Sequence, residues 1–466
     1  MAPVNALAFG GGGLVGTAKS LGHLIGLDQV VRDPASRLEL TKSFFDYMVE
    51  AEVTIDQLEL RFDEVVDRMP REVQNGQLDH IHRYFRLCGG ISGGSFLASA
   101  VASELPLLTL VREAVHFPFT YYFRPDLREY LRAARGLPKI PLNVLKMAYR
   151  ERGGWSLRRG RSEGLLMPIM RRVSRVGFEL LAAFQDILPR GIFTGQGIED
   201  YVEKLAREQG LKNSFQAVRS RGRHLLIIAE RFNTANRLSD PHSASTAVYF
   251  GAAPHDTIPV SRAIRASCSI PGITTPIEYA DPERGGTRYL LVDGAIGKTI
   301  GRRRLFTDHD IGVVITINPI VPYIGQLDNI VDSMEQLYRK LIYSRLKAVE
   351  NHIEKEVGER TIHIESNPDH FFFNMLRLDK ITEGLFEGYY QTLNFCAEQY
   401  GFFEQRLGMG GLCLIPRKEI CALLESGGAS REHQRMLKRN VMEKEKVSVQ
   451  VGNALQQLVR PSEDAA

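Results

Sequence analysis

Cysteine is scarce and poorly placed for cross-links. There are five in 466 residues, Cys88, Cys268, Cys396, Cys413 and Cys421, an odd number without a C-x-x-C pair. That usage fits a reducing compartment and excludes a disulfide framework or a cysteine zinc site, so no metal is expected. Charge of one sign is also missing: the net +4 is too small to argue for a nucleic-acid partner. No run of about 18 apolar residues occurs, so nothing is expected to span a membrane. Met1-Ala2-Pro3 leads straight into an apolar strand, without the basic start and apolar run of a signal peptide. Internal repeats and low-complexity tracts are lacking too. What remains is an ordinary globular composition, 44% hydrophobic and 24% charged. The expectation is a cytoplasmic protein of two or three domains, or one elaborated α/β domain.

Glycine, by contrast, is plentiful (42 residues) and clustered. Gly90-Ile91-Ser92-Gly93-Gly94 fits G-x-S-x-G, the pattern of a serine on a sharp strand-to-helix turn with its oxygen exposed. Tyr84 to Cys88 reads as the strand and Phe96 to Ala100 as the helix start. A Cβ at Gly90 or Gly94 would clash with the strand or helix beside such a turn. Taken alone, the pattern also fits a plain Gly/Ser loop.

A second glycine run follows the apolar strand Val4 to Phe9. Gly10 to Gly13 and Gly16 open a helix with Leu21, Leu24, Ile25 and Val30 at helical spacing. Strand, glycine loop and helix aim backbone N–H groups at an anion. Two readings stand. Gly11-x-Gly13-x-x-Gly16 satisfies the dinucleotide fingerprint of a nucleotide-binding oxidoreductase. That fold needs a second strand ending in an acidic residue roughly 20 residues on, and Leu38 to Met69 reads as helical instead. The other reading is an oxyanion hole.

Further along, helix and strand alternate as in a mostly parallel sheet. Leu225 to Ala229, Ala247 to Phe250, Tyr289 to Asp293, Ile311 to Ile317 and Thr361 to Glu365 read as strands. Ile258 to Gly272 reads as a helix stopped by Pro271-Gly272, and Leu378 to Tyr400 as another. Asp293-Gly294 ends a strand, where it can be a simple turn. From Lys146 to Arg175 nine Lys/Arg face Glu151 and Glu163, a balance of +7 leading into an amphipathic helix with Ile169, Met170, Val173, Val176, Leu180, Leu181 and Phe184. This stretch, 146–188, suits docking on anionic lipid, at about 1 kcal/mol per cation. It equally suits a solvated basic face over a core helix.

Four stretches in order resemble the patatin-like phospholipase family: Gly11-Gly12-Gly13-Leu14-Val15-Gly16, Gly90-Ile91-Ser92-Gly93-Gly94, Arg265-Ala266-Ser267-Cys268-Ser269-Ile270-Pro271-Gly272 and Asp293-Gly294-Ala295. Gly191-Ile192-Phe193 and Phe386-Glu387-Gly388-Tyr389 look similar as well. The resemblance implies a three-layer α/β/α fold with a mostly parallel central sheet, helical insertions near 38–83 and 105–190, a hydrolase domain over 1–395 and a mainly helical C-terminal extension over 396–466. It implies a lipid acyl hydrolase without cofactor, working on a lipid ester through a Ser–Asp dyad. Ser92 would be the nucleophile, Asp293 the base, and the N–H groups of Gly11, Gly12 and Gly13 the oxyanion hole. The chain departs from the family where Val15 replaces a common Arg or Lys, for which Lys19 is a candidate substitute. It departs again at Gly297-Lys298-Thr299, where the family often has Asn and Pro. A Ser–His–Asp triad using His363 or His370, and a catalytically weak lipid-binding scaffold, are the competing expectations.

Overall fold

A computed structural model describes residues 3–76, 79–117, 124–126, 191–232, 246–296, 309–320, 336–337, 339–344, 358–365 and 380–425. The basic stretch 146–188, Lys298 and His370 lie outside the described residues. The architecture is mixed α/β, with strands β1 (Val4–Phe9), β2 (Val31–Arg32), β3 (Leu87–Ile91), β4 (Gly191–Phe193), β5 (His224–Arg231), β6 (Ala247–Phe250), β7 (Gly272–Thr274), β8 (Ile277–Asp281), β9 (Thr287–Asp293), β10 (Ile311–Asn318) and β11 (Thr361–Glu365). Eight of them form the main sheet, in the order β11-β10-β1-β3-β5-β9-β8 with β6 also paired to β5. The first five in spatial order run parallel, and β6, β9 and β8 add antiparallel pairings. The mostly parallel sheet expected from the alternation of apolar segments is therefore present. Its inner strands β1, β3 and β10 are buried on both faces, as central parallel strands must be.

One face, with Leu7, Phe9, Cys88, Ile227, Ala229 and Ile315, packs into the large helical core. The opposite face, with Ala6, Ala8, Leu87, Leu226 and Val314, makes a smaller cluster with Tyr343. The chief helices of the large core are α1 (Gly13–Val30), α6 (Gly93–Ala102), α7 (Leu107–Val115) and the helix Ile381–Glu398. Residues 395 and 396, between which the sequence suggested a boundary, fall inside that last helix. Residues 38–83 hold several short helices, among them Phe44–Glu50 and Leu58–Asp67.

Helix α1 and the helix Ile381–Glu398 meet at unusually close range. A Cβ on Gly22 would lie 1.9 Å from the Leu385 carbonyl oxygen, and one on Gly388 would lie 2.0 Å from that of Lys19. Small residues let the two backbones touch, and His23 Nδ1 reaches Thr392 Oγ1 across the seam at 2.9 Å. Because the obstruction is backbone, no side-chain rotation relieves it. Gly388→Val is therefore expected to cost about 3 kcal/mol through overpacking, read as a lower urea midpoint. A midpoint equal to that of wild type would mean that the seam opens freely.

Some boundaries differ from the sequence expectation. The elbow strand is Leu87–Ile91 rather than 84–88, because Ile81–Tyr84 closes a helical turn whose end Phe85 leaves. The helix before Pro271 stops at Ser267, where serine hydroxyls engage main-chain groups instead of continuing the turn. Gly191–Phe193, part of the family resemblance, is a strand paired with Gly272–Thr274, and a helix over Gln196–Glu208 follows it. The second strand is Val31–Arg32, two residues long, and pairs antiparallel with Cys413–Leu414 away from the main sheet. The neighbours of β1 are instead β3 and β10, so the strand that a dinucleotide fold would place beside β1 is not there. Among the described residues, no helix is long and apolar enough to cross a membrane.

Candidate active site

Strand β5 acts as a ruler. On one side Ile91 of β3 pairs with Ile228, so Ser92 follows at that level. On the other side Asp293 of β9 pairs with Ala229. Two residues far apart in sequence thus arrive on either flank of the same pair of β5 residues. Parallel pairing on one side and antiparallel pairing on the other let one strand end and the other finish at the same height.

Ser92 sits between β3 and α6 with φ 53° and ψ −135°. That backbone is rare for a residue with a side chain, and it is the strained turn that G-x-S-x-G suggested. The expected crowding is present. A Cβ on Gly90 would meet the Gly94 carbonyl oxygen at 2.3 Å, and one on Gly94 would meet that of Gly10 at 2.4 Å. The Ser92 N–H donates to Ser267 Oγ at 2.8 Å, and Ser267 Oγ donates to the Ile228 carbonyl at 2.6 Å. The Ser92 carbonyl accepts from Ser95 N–H at 2.8 Å and from Ser95 Oγ.

The Asp293 carboxyl is 1% exposed. Its Oδ1 accepts the Ala295 N–H at 2.8 Å. Oδ2 has no partner at hydrogen-bond distance, although the Ser92 hydroxyl lies close enough to favour the charged form. Burial outweighs both interactions and pushes the carboxyl up from 3.8 to about 7. A carboxylate with that proton affinity is a far better base than one in water. The Asp293 N–H donates to the Ser269 carbonyl at 2.9 Å.

The glycine loop closes the group. A Cβ on Gly11 would stand 2.9 Å from Ser92 Cβ and 3.6 Å from Ala295 Cβ, so the loop lies directly against both. Gly13, with φ 58°, begins the 18-residue helix α1, and Gly12 precedes it as N-cap. The N–H groups of Gly11, Gly12 and Gly13 donate to no acceptor among the described residues. With the positive end of a long helix behind them, they offer a ready anion cradle.

The structure therefore brings Ser92, Asp293 and Gly11 together, with Gly12 and Gly13 on the same loop. It does not bring His363 to them. That residue lies on β11, beyond β10 and β1 from the elbow strand, and its Nδ1 meets Thr316 Oγ1. Lys19, the candidate substitute cation, is fully buried; its ammonium is brought down from 10.5 to about 8 by burial, and its chief opposite charge is Glu387 on the partner helix. What sequence reasoning missed is Ser267: the segment around it stood out, but not the hydroxyl's hold on Ser92.

Beside the site opens an apolar cleft of about 110 Å³. Leu14, Leu21, Phe96, Leu97, Leu110 and Ile264 line it, and Gly93, the residue after Ser92, forms part of its wall.

Residues 76–301 match the family model of the patatin-like phospholipases. Ser92, the 265–272 segment and Asp293 fall inside that range, while the Gly11–Gly16 loop lies before it. Among solved structures the chain is similar to VipD from Legionella pneumophila, at 11% identity and a TM-score of 0.32, over 85% of this chain and 67% of that one. It is also similar to the complex of full-length SpcU with full-length ExoU from the type III secretion system of Pseudomonas aeruginosa. There the identity is 14% and the TM-score 0.26, over 84% of this chain and 53% of that one. The chain thus spans about two thirds and about half of those lengths, and likenesses this loose carry nothing further about it. No curated protein matches. Over residues 76–301, which hold both the strained serine and the buried aspartate, the chain carries a patatin-like phospholipase domain.

Proposed function

We propose that the chain is a serine lipid acyl hydrolase that cleaves carboxylic ester bonds through an acyl-enzyme on Ser92. The family match supports lipid hydrolysis in general. The finer reading rests on one observation: a serine on a strained turn lies beside a buried carboxyl whose pKa is near 7. Asp293 takes the hydroxyl proton as Ser92 Oγ bonds to the ester carbonyl carbon. The N–H groups of Gly11, Gly12 and Gly13 hold the resulting oxyanion, each worth on the order of 3 kcal/mol in comparable sites. The tetrahedral species collapses by breaking the ester C–O bond, and the proton on Asp293 passes to the leaving alkoxide. Water, deprotonated by the same carboxylate, then releases the fatty acid. The apolar cleft beside Gly93 suits the acyl chain, whose methylenes each favour it by about 0.8 kcal/mol over water. The basic stretch 146–188, outside the described residues, is the proposed contact with anionic lipid, its cations adding to such binding.

A fluorophosphonate tests the nucleophile directly, because it phosphonylates an activated serine without needing the natural lipid. Wild type is expected to label at a single site, and Ser92→Ala to lose the label completely. Persistent labelling of the variant would assign the nucleophile elsewhere.

A further inference from the structure

We propose that Ser267 is a positioning residue, whose hydroxyl holds the main chain of Ser92 in the turn that presents the Ser92 oxygen to Asp293. The inference rests on reading Ser92 as nucleophile and Asp293 as base, and adds what keeps them in register.

A serine hydroxyl has one proton to give. Ser267 gives it to the Ile228 carbonyl and accepts the Ser92 N–H, so the two hydrogen bonds fix each other's direction. Ser267 is fully buried, so water offers no substitute for either partner. The strand register explains what the hydroxyl prevents. Ile91 lies opposite Ile228, and the next N–H on β3 is that of Ser92. Direct contact between this N–H and the Ile228 carbonyl would extend the ladder by a residue and draw Ser92 toward strand geometry. The hydroxyl stands between them as a spacer, at the residue where φ turns to 53°. Two residues later the Ser269 carbonyl takes the N–H of Asp293. One short segment therefore grips the nucleophile at one end and the base at the other.

Cys268, between them, is the titratable neighbour of Asp293 among the described residues. Burial first and Asp293 second push its thiol up, so it stays neutral at working pH. The acid side of the pH–rate profile therefore follows Asp293. The Ser92 hydroxyl lowers that carboxyl's proton affinity, so a displaced hydroxyl raises it.

The experiment compares Ser267→Ala with Ser261→Ala on p-nitrophenyl butyrate and on the rate of fluorophosphonate labelling. Ser261 is on the same helix and as buried, and its hydroxyl is bonded to Asn213 at 2.7 Å, away from the site. Ser267→Ala is expected to lower kcat about 100-fold, as small displacements of reacting groups do. KM should change less than about two-fold, and the acid limb should move to higher pH. Ser261→Ala is expected to lower the unfolding midpoint and leave kcat and the limb in place. Ser267→Thr, which keeps the hydroxyl, should return the limb to its wild-type position. If Ser267→Ala does not fold, Ser267→Cys is judged by the same limb, because sulfur accepts the Ser92 N–H poorly. The inference is overturned if kcat stays within about three-fold of wild type, or if activity falls only with the folded fraction while the limb holds. Wild type left unlabelled at Ser92 would instead remove the hydrolase reading. Equal labelling of wild type and Ser267→Ala removes this inference alone.

Discussion

Asp293→Asn is expected to lower kcat on the order of 10⁴-fold, a loss comparable to that at other hydrolase acids, while making the protein more stable at alkaline pH. Both effects come from the same burial. Asparagine keeps the shape and can still accept the Ala295 N–H, but it cannot take a proton from Ser92. The stability sign follows from linkage. The folded carboxyl binds its proton up to about pH 7, the unfolded one only up to 3.8. The folded state is therefore favoured at low pH, and that advantage is fully present below 3.8. It is lost as pH rises through about 7, where the buried charge must be carried. The gap corresponds to roughly 4 kcal/mol. Wild type should lose stability between pH 5 and pH 8, and the variant should lose less. Asp28, also raised to about 7 by burial and then by Asp79, contributes equally to both proteins and drops out of the comparison. Urea midpoints of the two proteins at pH 5 and pH 8 give the answer. Parallel pH dependences would show that Asp293 carries no such burden, and retained turnover would remove it as the base.

Gly11→Ala tests the other side of the site. Its methyl would sit 2.9 Å from Ser92 Cβ, closer than carbon atoms approach, with Ala295 Cβ at 3.6 Å. Either the loop lifts away or the serine turns, and in each case amide donors and nucleophile part company. Losing one such donor costs about 10²–10³-fold in kcat, and that range is expected here. Substrate affinity should change little, because the acyl chain has its own cleft. The unfolding midpoint should stay close to that of wild type, since the loop can yield toward the open site. A labelling rate within about three-fold of wild type would mean that the loop does not serve the reacting group.

Much of this arrangement was legible in the residues. Val4 to Phe9, too short and apolar for a surface helix, had to be a buried strand. Glycines on both sides of Ser92 leave few alternatives to a tight turn. Asp293 closes an apolar run that reads as a strand, although Asp-Gly there also fits a simple turn. The elbow strand was misjudged by three residues because Tyr84 and Phe85 are as apolar as a strand, yet serve a short helix and its exit. Ser267 was hidden for a different reason. A serine hydroxyl in a small-residue segment looks like any other until a partner 175 positions away is seen to need it. Lys19 invited a functional reading only because it lies one helical turn on from Val15. Its burial against Glu387 depends on a helix that only the fold brings near. The raised proton affinity of Asp293 follows from burial that only the folded sheet supplies.

Strand β5 has a consequence for how such a protein can change. Because Ser92 and Asp293 are measured off the same two residues of β5, 228 and 229, the chain between residues 103 and 223 bears no responsibility for their separation. It can lengthen or shorten while the serine oxygen and the carboxyl stay put. New surfaces are then free to arise in that stretch, whereas a one-residue slip of β9 along β5 would part the Ser92 oxygen from the Asp293 carboxyl at once.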